Sequence, residues 1–213
     1  GFFSIGTLSY AWAKLYRKSF LDSNKIEFGD YRYAEDKIYN YFCYIAGARY
    51  AFIDKKIYVY RRNEQSVSNT YRKDGDKDWM RIAQDLQDKI DSLNYEKKQY
   101  SQDEIENYES IVAWTIYFAA FFDGKMEYEY STGKIRTVIN LLKRYASYDL
   151  TKKYLKNPLR YTKKIPALSY KIMLGGFAFL MKCNMYLLLS LGIKLLVDCH
   201  IDERLSDTGR KED

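Results

Sequence analysis

The sequence predicts an α+β fold, with a short α+β segment over residues 1–70 followed by a mainly α-helical extension. Two observations carry this expectation. Tyr50 to Ile53 and Ile57 to Tyr60 are runs of aromatic and β-branched residues joined by Asp54-Lys55-Lys56, the composition of short antiparallel strands around a tight turn. After Thr70, apolar residues recur at three- and four-residue intervals, the period of amphipathic helices. The two prolines, Pro158 and Pro166, permit long helices over most of the chain.

The elements follow in order. An aromatic-rich stretch from Trp12 to Phe20 precedes a helix-like run from Ala34 to Ala48 and then the two strand-like runs. Residues 71–150 read as a helical bundle. Its first helix carries Trp79, Ile82, Leu86, Ile90 and Leu93 on one side and Asp85, Asp88 and Lys89 on the other. Ser101 and Glu104 have capping-box spacing ahead of a second helix with Ile105, Tyr108, Ile111, Val112, Thr115 and Phe118, which is expected to stop at Gly124. A third begins near Ser131 or Thr132 and turns Ile135, Val138, Ile139, Leu142 and Tyr145 inward.

Residues 151–213 comprise a basic connector, Lys152 to Lys171, and the most apolar stretch, Ile172 to Val197. Lys182-Cys183-Asn184 divides that stretch into two pieces, whereas a spanning helix needs about 20 apolar residues with few charges. Two readings stay open for it. One is a buried helical hairpin; the other is a pair lying on a membrane surface with Lys171, Lys182 and Lys194 near head groups, which the basic connector favours.

Composition narrows the chemistry. The 213 residues, 47% hydrophobic and 17% aromatic, exclude overall disorder. Three cysteines without a CxxC pair make a disulfide framework or cysteine zinc site improbable, and the one histidine, His200, leaves no Ser-His-Asp triad or HExxH helix. A net charge of +7 favours anionic partners without choosing among them, and 23 tyrosines suit aromatic-lined grooves, membrane interfaces and cores alike. The chain opens on Gly1 with neither a basic n-region nor an apolar h-region, so an excised or incomplete chain is expected.

The densest chemical signal is Tyr33-Ala34-Glu35-Asp36-Lys37-Ile38-Tyr39, two adjacent carboxylates opening a helical pattern. A carboxylate there faces the positive end of the helix macrodipole and is placed to accept a proton, although plain charge compensation at a helix start is the alternative. The surrounding blocks add specificity. Trp12-Ala13-Lys14-Leu15-Tyr16-Arg17, then Glu35-Asp36, then Tyr58-Val59-Tyr60-Arg61, then Ser66-Val67-Ser68, in this order and spacing, resemble the family 2 glycosyltransferases. The resemblance covers about residues 8 to 70.

That resemblance implies the C-terminal, acceptor-side part of a GT-A catalytic domain and an inverting sugar transfer from a nucleotide-sugar donor to a glycan or lipid-linked acceptor, in bacterial cell-surface polysaccharide synthesis. Asp36 matches the base that removes the acceptor's hydroxyl proton, and Glu35 the neighbour that helps place the acceptor. Trp12 and Lys14 match the floor near the acceptor. Arg61, Arg62, Ser66 and Ser68 match the segment that closes over the donor diphosphate, where guanidinium and hydroxyl groups bond phosphate oxygens. The family also implies a divalent metal, Mg or Mn, held by a D-x-D motif in a nucleotide-binding half that does not precede Gly1, so the chain alone is expected to be inactive. Asp74-Gly75-Asp76 and Asp76-Lys77-Asp78 match D-x-D literally but read as loop and N-cap residues. The implied location is cytoplasmic, peripheral on the inner face of the membrane, with the anionic membrane surface as a further partner. The alternative is a basic helical module that binds nucleic acid or a membrane surface; without an RNP, zinc-finger or helix-turn-helix signature, nucleic acid is not the expected partner.

Overall fold

Leu86 and Ile90, one helical turn apart, and Ile82, one turn earlier, are all buried, as their spacing requires of a helix packed on one side. The computed structural model describes residues 10–32, 34–55, 57–59, 71–93, 100–165 and 167–199. Among these residues the regular structure is helical throughout: α1 (Lys18–Asn24), α2 (Glu35–Ile45), α3 (Gly75–Asp91), α4 (Gln102–Tyr130), α5 (Ile135–Ser147), α6 (Asp149–Leu155), α7 (Pro158–Thr162), α8 (Leu168–Lys182) and α9 (Tyr186–Asp198).

The α+β expectation is therefore corrected, and with it the antiparallel strands of a GT-A domain. Tyr50 to Asp54 and Ile57 to Val59 form no ladder, and among the described residues there is no strand beside them. Their side chains lie open, Ile53 at 69% and Val59 at 92% exposure. Aromatic and β-branched composition favours a pleated, half-buried surface, but a strand exists only where a second edge takes up its backbone hydrogen bonds.

The helix α4 is the axis of the molecule. Ser101 accepts from the Glu104 backbone N–H at 3.2 Å while Glu104 Oε2 accepts from the Ser101 N–H at 2.9 Å, the capping box that its spacing predicts. Every residue from Ser110 to Tyr117 is buried, because α3, α5, α7, α8 and α9 all pack against this one helix. Gly124 does not end it. A Cβ there would stand 2.9 Å from Cδ1 of Ile193, so this glycine lets α9 approach and the helix continues to Tyr130.

Buried tyrosines hold the layers together. Tyr117 donates to the carbonyl of Tyr154 at 2.9 Å and Tyr154 to Oε1 of Gln87 at 2.6 Å, while the Trp114 indole donates to the carbonyl of Tyr161 at 2.9 Å. A tyrosine fills space like a phenylalanine but needs a partner for its hydroxyl, so these bonds fix the relative placement of α3, α4, α6 and α7.

The segment read as a basic connector is instead two packed helices, α6 and α7, and the start of α8. Arg160 and Lys163 pair with Glu106 at 3.2 and 2.9 Å, and Lys164 with Asp103 at 2.6 Å, so the acidic first turns of α4 neutralise much of it. The apolar stretch breaks at Cys183–Met185, where the chain turns from α8 into α9. Among the described residues, no helix is long and apolar enough to cross a membrane.

Candidate functional site

The helix α2 is buried on two sides. Ile38, Tyr41 and Ile45 join the main core, while Tyr39 and Cys43 join a smaller cluster with Ile26, against which Tyr16, Phe20 and Leu21 pack. Residues 10–26 therefore wrap one flank of α2, and the first turn of that helix projects between the wrap and the bundle. Glu35 is exposed there and Asp36 half-buried.

Hydrogen bonds order this corner. Asn40, one turn below Asp36, is buried; its Nδ2 donates to the Asp36 carbonyl at 2.7 Å and its Oδ1 accepts from the Tyr16 hydroxyl at 3.0 Å. Tyr16 in turn meets Tyr39 edge to face at 5.2 Å, and Tyr39 stacks on Phe28 at 4.1 Å. Lys14 donates to the Tyr10 carbonyl and lies within electrostatic reach of Asp36. Burial lowers its pKa and the Asp36 charge opposes that shift. Trp12 stacks on Tyr10 and on Tyr58, both at 4.8 Å between centroids, which brings residues 57–59 to the same corner.

Two backbone positions beside these residues are strained. Ala13, between Trp12 and Lys14, has φ 57°, and Ala34, immediately before Glu35, has φ 58°. An alanine in the left-handed region costs about 1–2 kcal/mol, a conformation kept only where its surroundings impose it and one that concentrates at functional sites.

The structure thus brings Trp12, Lys14, Glu35 and Asp36 to one corner. Arg61, Arg62, Ser66 and Ser68, the donor-side half of the expected constellation, lie outside the described residues. Asn40 does not stand out in the sequence, and Tyr16 does so only as a member of the Trp12–Arg17 block, although the Asp36 to Asn40 spacing, one helical turn, already puts both on one face.

Lys37 is a further surprise. Its ammonium sits 4.9 Å from the Phe118 ring centroid, 5.8 Å from Trp79 and 6.0 Å from Tyr41. Among the described residues no carboxylate pairs with it, and burial pushes its pKa down to about 8. Nearby, Asp30, Tyr31, Arg32, Asp78, Arg81 and Ile82 line a shallow recess of about 270 Å³, with the Arg81 guanidinium 5.3 Å from the Tyr31 ring.

The described residues offer no ready ligand cluster for the divalent metal that the resemblance implies. Among them no cluster of three His, Cys, Asp or Glu side chains stands ready to hold an ion. Asp74 is the N-cap of α3, and Asp76, buried, accepts from Arg144 at 3.1 and 3.3 Å and from the Tyr148 hydroxyl at 3.1 Å. Asp76 is thereby a structural carboxylate.

Comparison of the chain with protein-family models, with curated proteins and with solved structures returns no match.

Proposed function

We propose that this chain supplies the acceptor side of an inverting glycosyl transfer from a nucleotide sugar to a glycan or lipid-linked acceptor in cell-surface polysaccharide synthesis. The observation that supports it best is the meeting of Trp12, Lys14, Asp36 and Tyr58 at one corner, since these come from three separate blocks of the family pattern.

In this reading the Asp36 carboxylate takes the hydroxyl proton of the acceptor as that oxygen forms its bond to the anomeric carbon. The bond from that carbon to the donor diphosphate breaks, and its electron pair leaves with the diphosphate. Asn40 fixes the turn that carries Asp36, Glu35 orients the acceptor, and the aromatic stack of Tyr10, Trp12 and Tyr58 offers an apolar border to a sugar ring. Arg61, Arg62, Ser66 and Ser68 would meet the diphosphate, together with a nucleotide-binding half and its metal. The protein would work at the cytoplasmic face of the membrane, held peripherally.

The test is transfer of radiolabelled sugar by the chain extended with the sequence its gene encodes before Gly1. Asp36→Asn is expected to lower turnover by at least about a hundredfold while nucleotide-sugar binding persists. Retained turnover contradicts the assignment.

A further inference from the structure

The outward faces of α8 and α9 are apolar and open. Along α8, Leu168, Ile172, Gly176, Phe179 and Cys183 follow one another at three- and four-residue steps and are all exposed; along α9, Leu188, Leu191, Leu195 and Cys199 do the same, with Leu187 beside them. Leu168 is 68% exposed, Ile172 66% and Leu195 59%. A Cβ on Gly176 or Gly192 would meet nothing within 4 Å. The opposite faces of both helices, with Leu174, Phe177, Met181, Leu189 and Ile193, are buried, and both helices pack on α4, so both open stripes point away from it. Isolated exposed leucines are ordinary, but two parallel stripes are an interaction surface.

Charge identifies the occupant. From Lys152 to Val197 the sequence holds nine Lys or Arg and no Asp or Glu, whereas the whole chain is +7, so everything outside this segment is slightly acidic in sum. Arg160, Lys163 and Lys164 are spent on α4, and Lys152 and Lys194 pair with Asp149 and Asp198. Of the remaining four, Lys153, Lys156, Lys171 and Lys182, the last two lie on α8. They are three turns apart on one line of α8, flanking its open stripe, and Lys182 is anchored to the Lys156 carbonyl at 2.8 Å. Among the described residues neither has a carboxylate partner. An apolar face bordered by unneutralised lysines matches an anionic bilayer surface, with the exposed Tyr170 at the entry to α8 suited to the interface.

The position of α2 gives this docking a consequence. Phe118 of α4 lies under Lys37, in the first turn of α2, and Phe121, its neighbour one turn along α4, packs edge to face on Phe177 of α8 at 5.8 Å. The turn bearing Asp36 and the helix with the open stripe therefore both pack on this stretch of α4. We infer that the outward faces of α8 and α9 dock on an anionic bilayer and set the Asp36 corner beside its surface, so that the acceptor is a sugar anchored in the membrane by a lipid. The acceptor assignment rests on the transfer reading proposed above.

Vesicle flotation tests the docking on the chain as it stands. Wild type is expected to float with phosphatidylglycerol-containing vesicles and to bind pure phosphatidylcholine weakly. Phe179→Glu/Leu191→Glu, both on open positions and checked for unchanged helicity by circular dichroism, is expected to lose more than about tenfold in affinity. Lys171→Gln/Lys182→Gln is expected to lose the preference for the anionic lipid. A fluorophore on Cys183 reports the same event by a blue-shifted emission on binding. Equal binding by the Phe179→Glu/Leu191→Glu variant, or no binding by wild type, overturns the docking; a wild-type dimer that the variant breaks, without vesicle binding, gives the face to a second copy and overturns it too. In the gene-extended chain, transfer to a vesicle-anchored sugar is expected to exceed transfer to the same sugar free in solution, and the Phe179→Glu/Leu191→Glu variant is expected to erase that difference while keeping the free-sugar rate. Transfer to neither acceptor sinks the enzymatic reading and leaves the flotation result to decide the docking.

Discussion

The Tyr16 hydroxyl donates to Oδ1 of the buried Asn40 at 3.0 Å, and this bond ties the wrapping segment before α1 to the face of α2 that carries Asp36. Tyr16→Phe deletes the donor and leaves a buried amide oxygen short of a partner. Denaturant unfolding is expected to show a loss of about 1–3 kcal/mol. Because Asn40 also holds the Asp36 carbonyl, acceptor affinity in the gene-extended chain is expected to fall with it, and an unchanged midpoint would show that the wrap is not held this way.

Asp123 reaches from α4 into a buried corner where it accepts from the Tyr145 hydroxyl at 2.5 Å. Burial pushes its carboxyl up to about 7; the Asp76 charge adds to the shift, while the bonds from Tyr145 and Trp79 and the charge of Arg144 oppose it. A carboxyl whose folded pKa lies above its unfolded value contributes stability that is complete below pH ~4 and is lost as pH rises through about 7. Asp123→Asn keeps an acceptor for Tyr145 and removes the charge. Urea midpoints measured from pH 4 to pH 8 should decline less in the variant than in wild type, with a gain at pH 8 on the order of a few kcal/mol.

Lys37 has the opposite sign. Its folded pKa of about 8 lies below that of an unfolded lysine, so the unfolded chain binds more protons between about pH 8 and 10 and wild-type stability gains a rising component over that window. Lys37→Met keeps a long side chain among Tyr41, Trp79 and Phe118 and places a thioether against the rings. Thermal unfolding is expected to show the variant more stable at pH 7 and without that rising component. A variant less stable than wild type at pH 7 would mean that attraction to the three rings outweighs the desolvation of the ammonium.

Much of the helical part was legible. The spacing of Ile82, Leu86 and Ile90, the Ser101/Glu104 box and the break at Lys182-Cys183-Asn184 are local signals, and local geometry decides them. What failed depends on distant partners. The run from Tyr50 to Val59 has strand composition and no edge among the described residues to pair with. Gly124 reads as a stop from its neighbours alone, and only the approach of Ile193 from α9 explains it as a contact point. The basic run after Lys152 looks like a linker until Glu106 and Asp103, far away in sequence, take up its charges. At the candidate site, Glu35 and Asp36 announce themselves by their place at a helix start. The pairing of Tyr16 with Asn40 does not, because a tyrosine and an asparagine gain this role only through the bond between them.

In the proposed transfer, Asp36 is the group that accepts a proton from the incoming sugar hydroxyl. Single-turnover transfer by the gene-extended chain, wild type against Asp36→Asn at matched donor occupancy, measures that step alone. The chemical step is expected to slow by at least about a hundredfold with nucleotide-sugar binding intact. A variant that transfers sugar at the wild-type rate would contradict it.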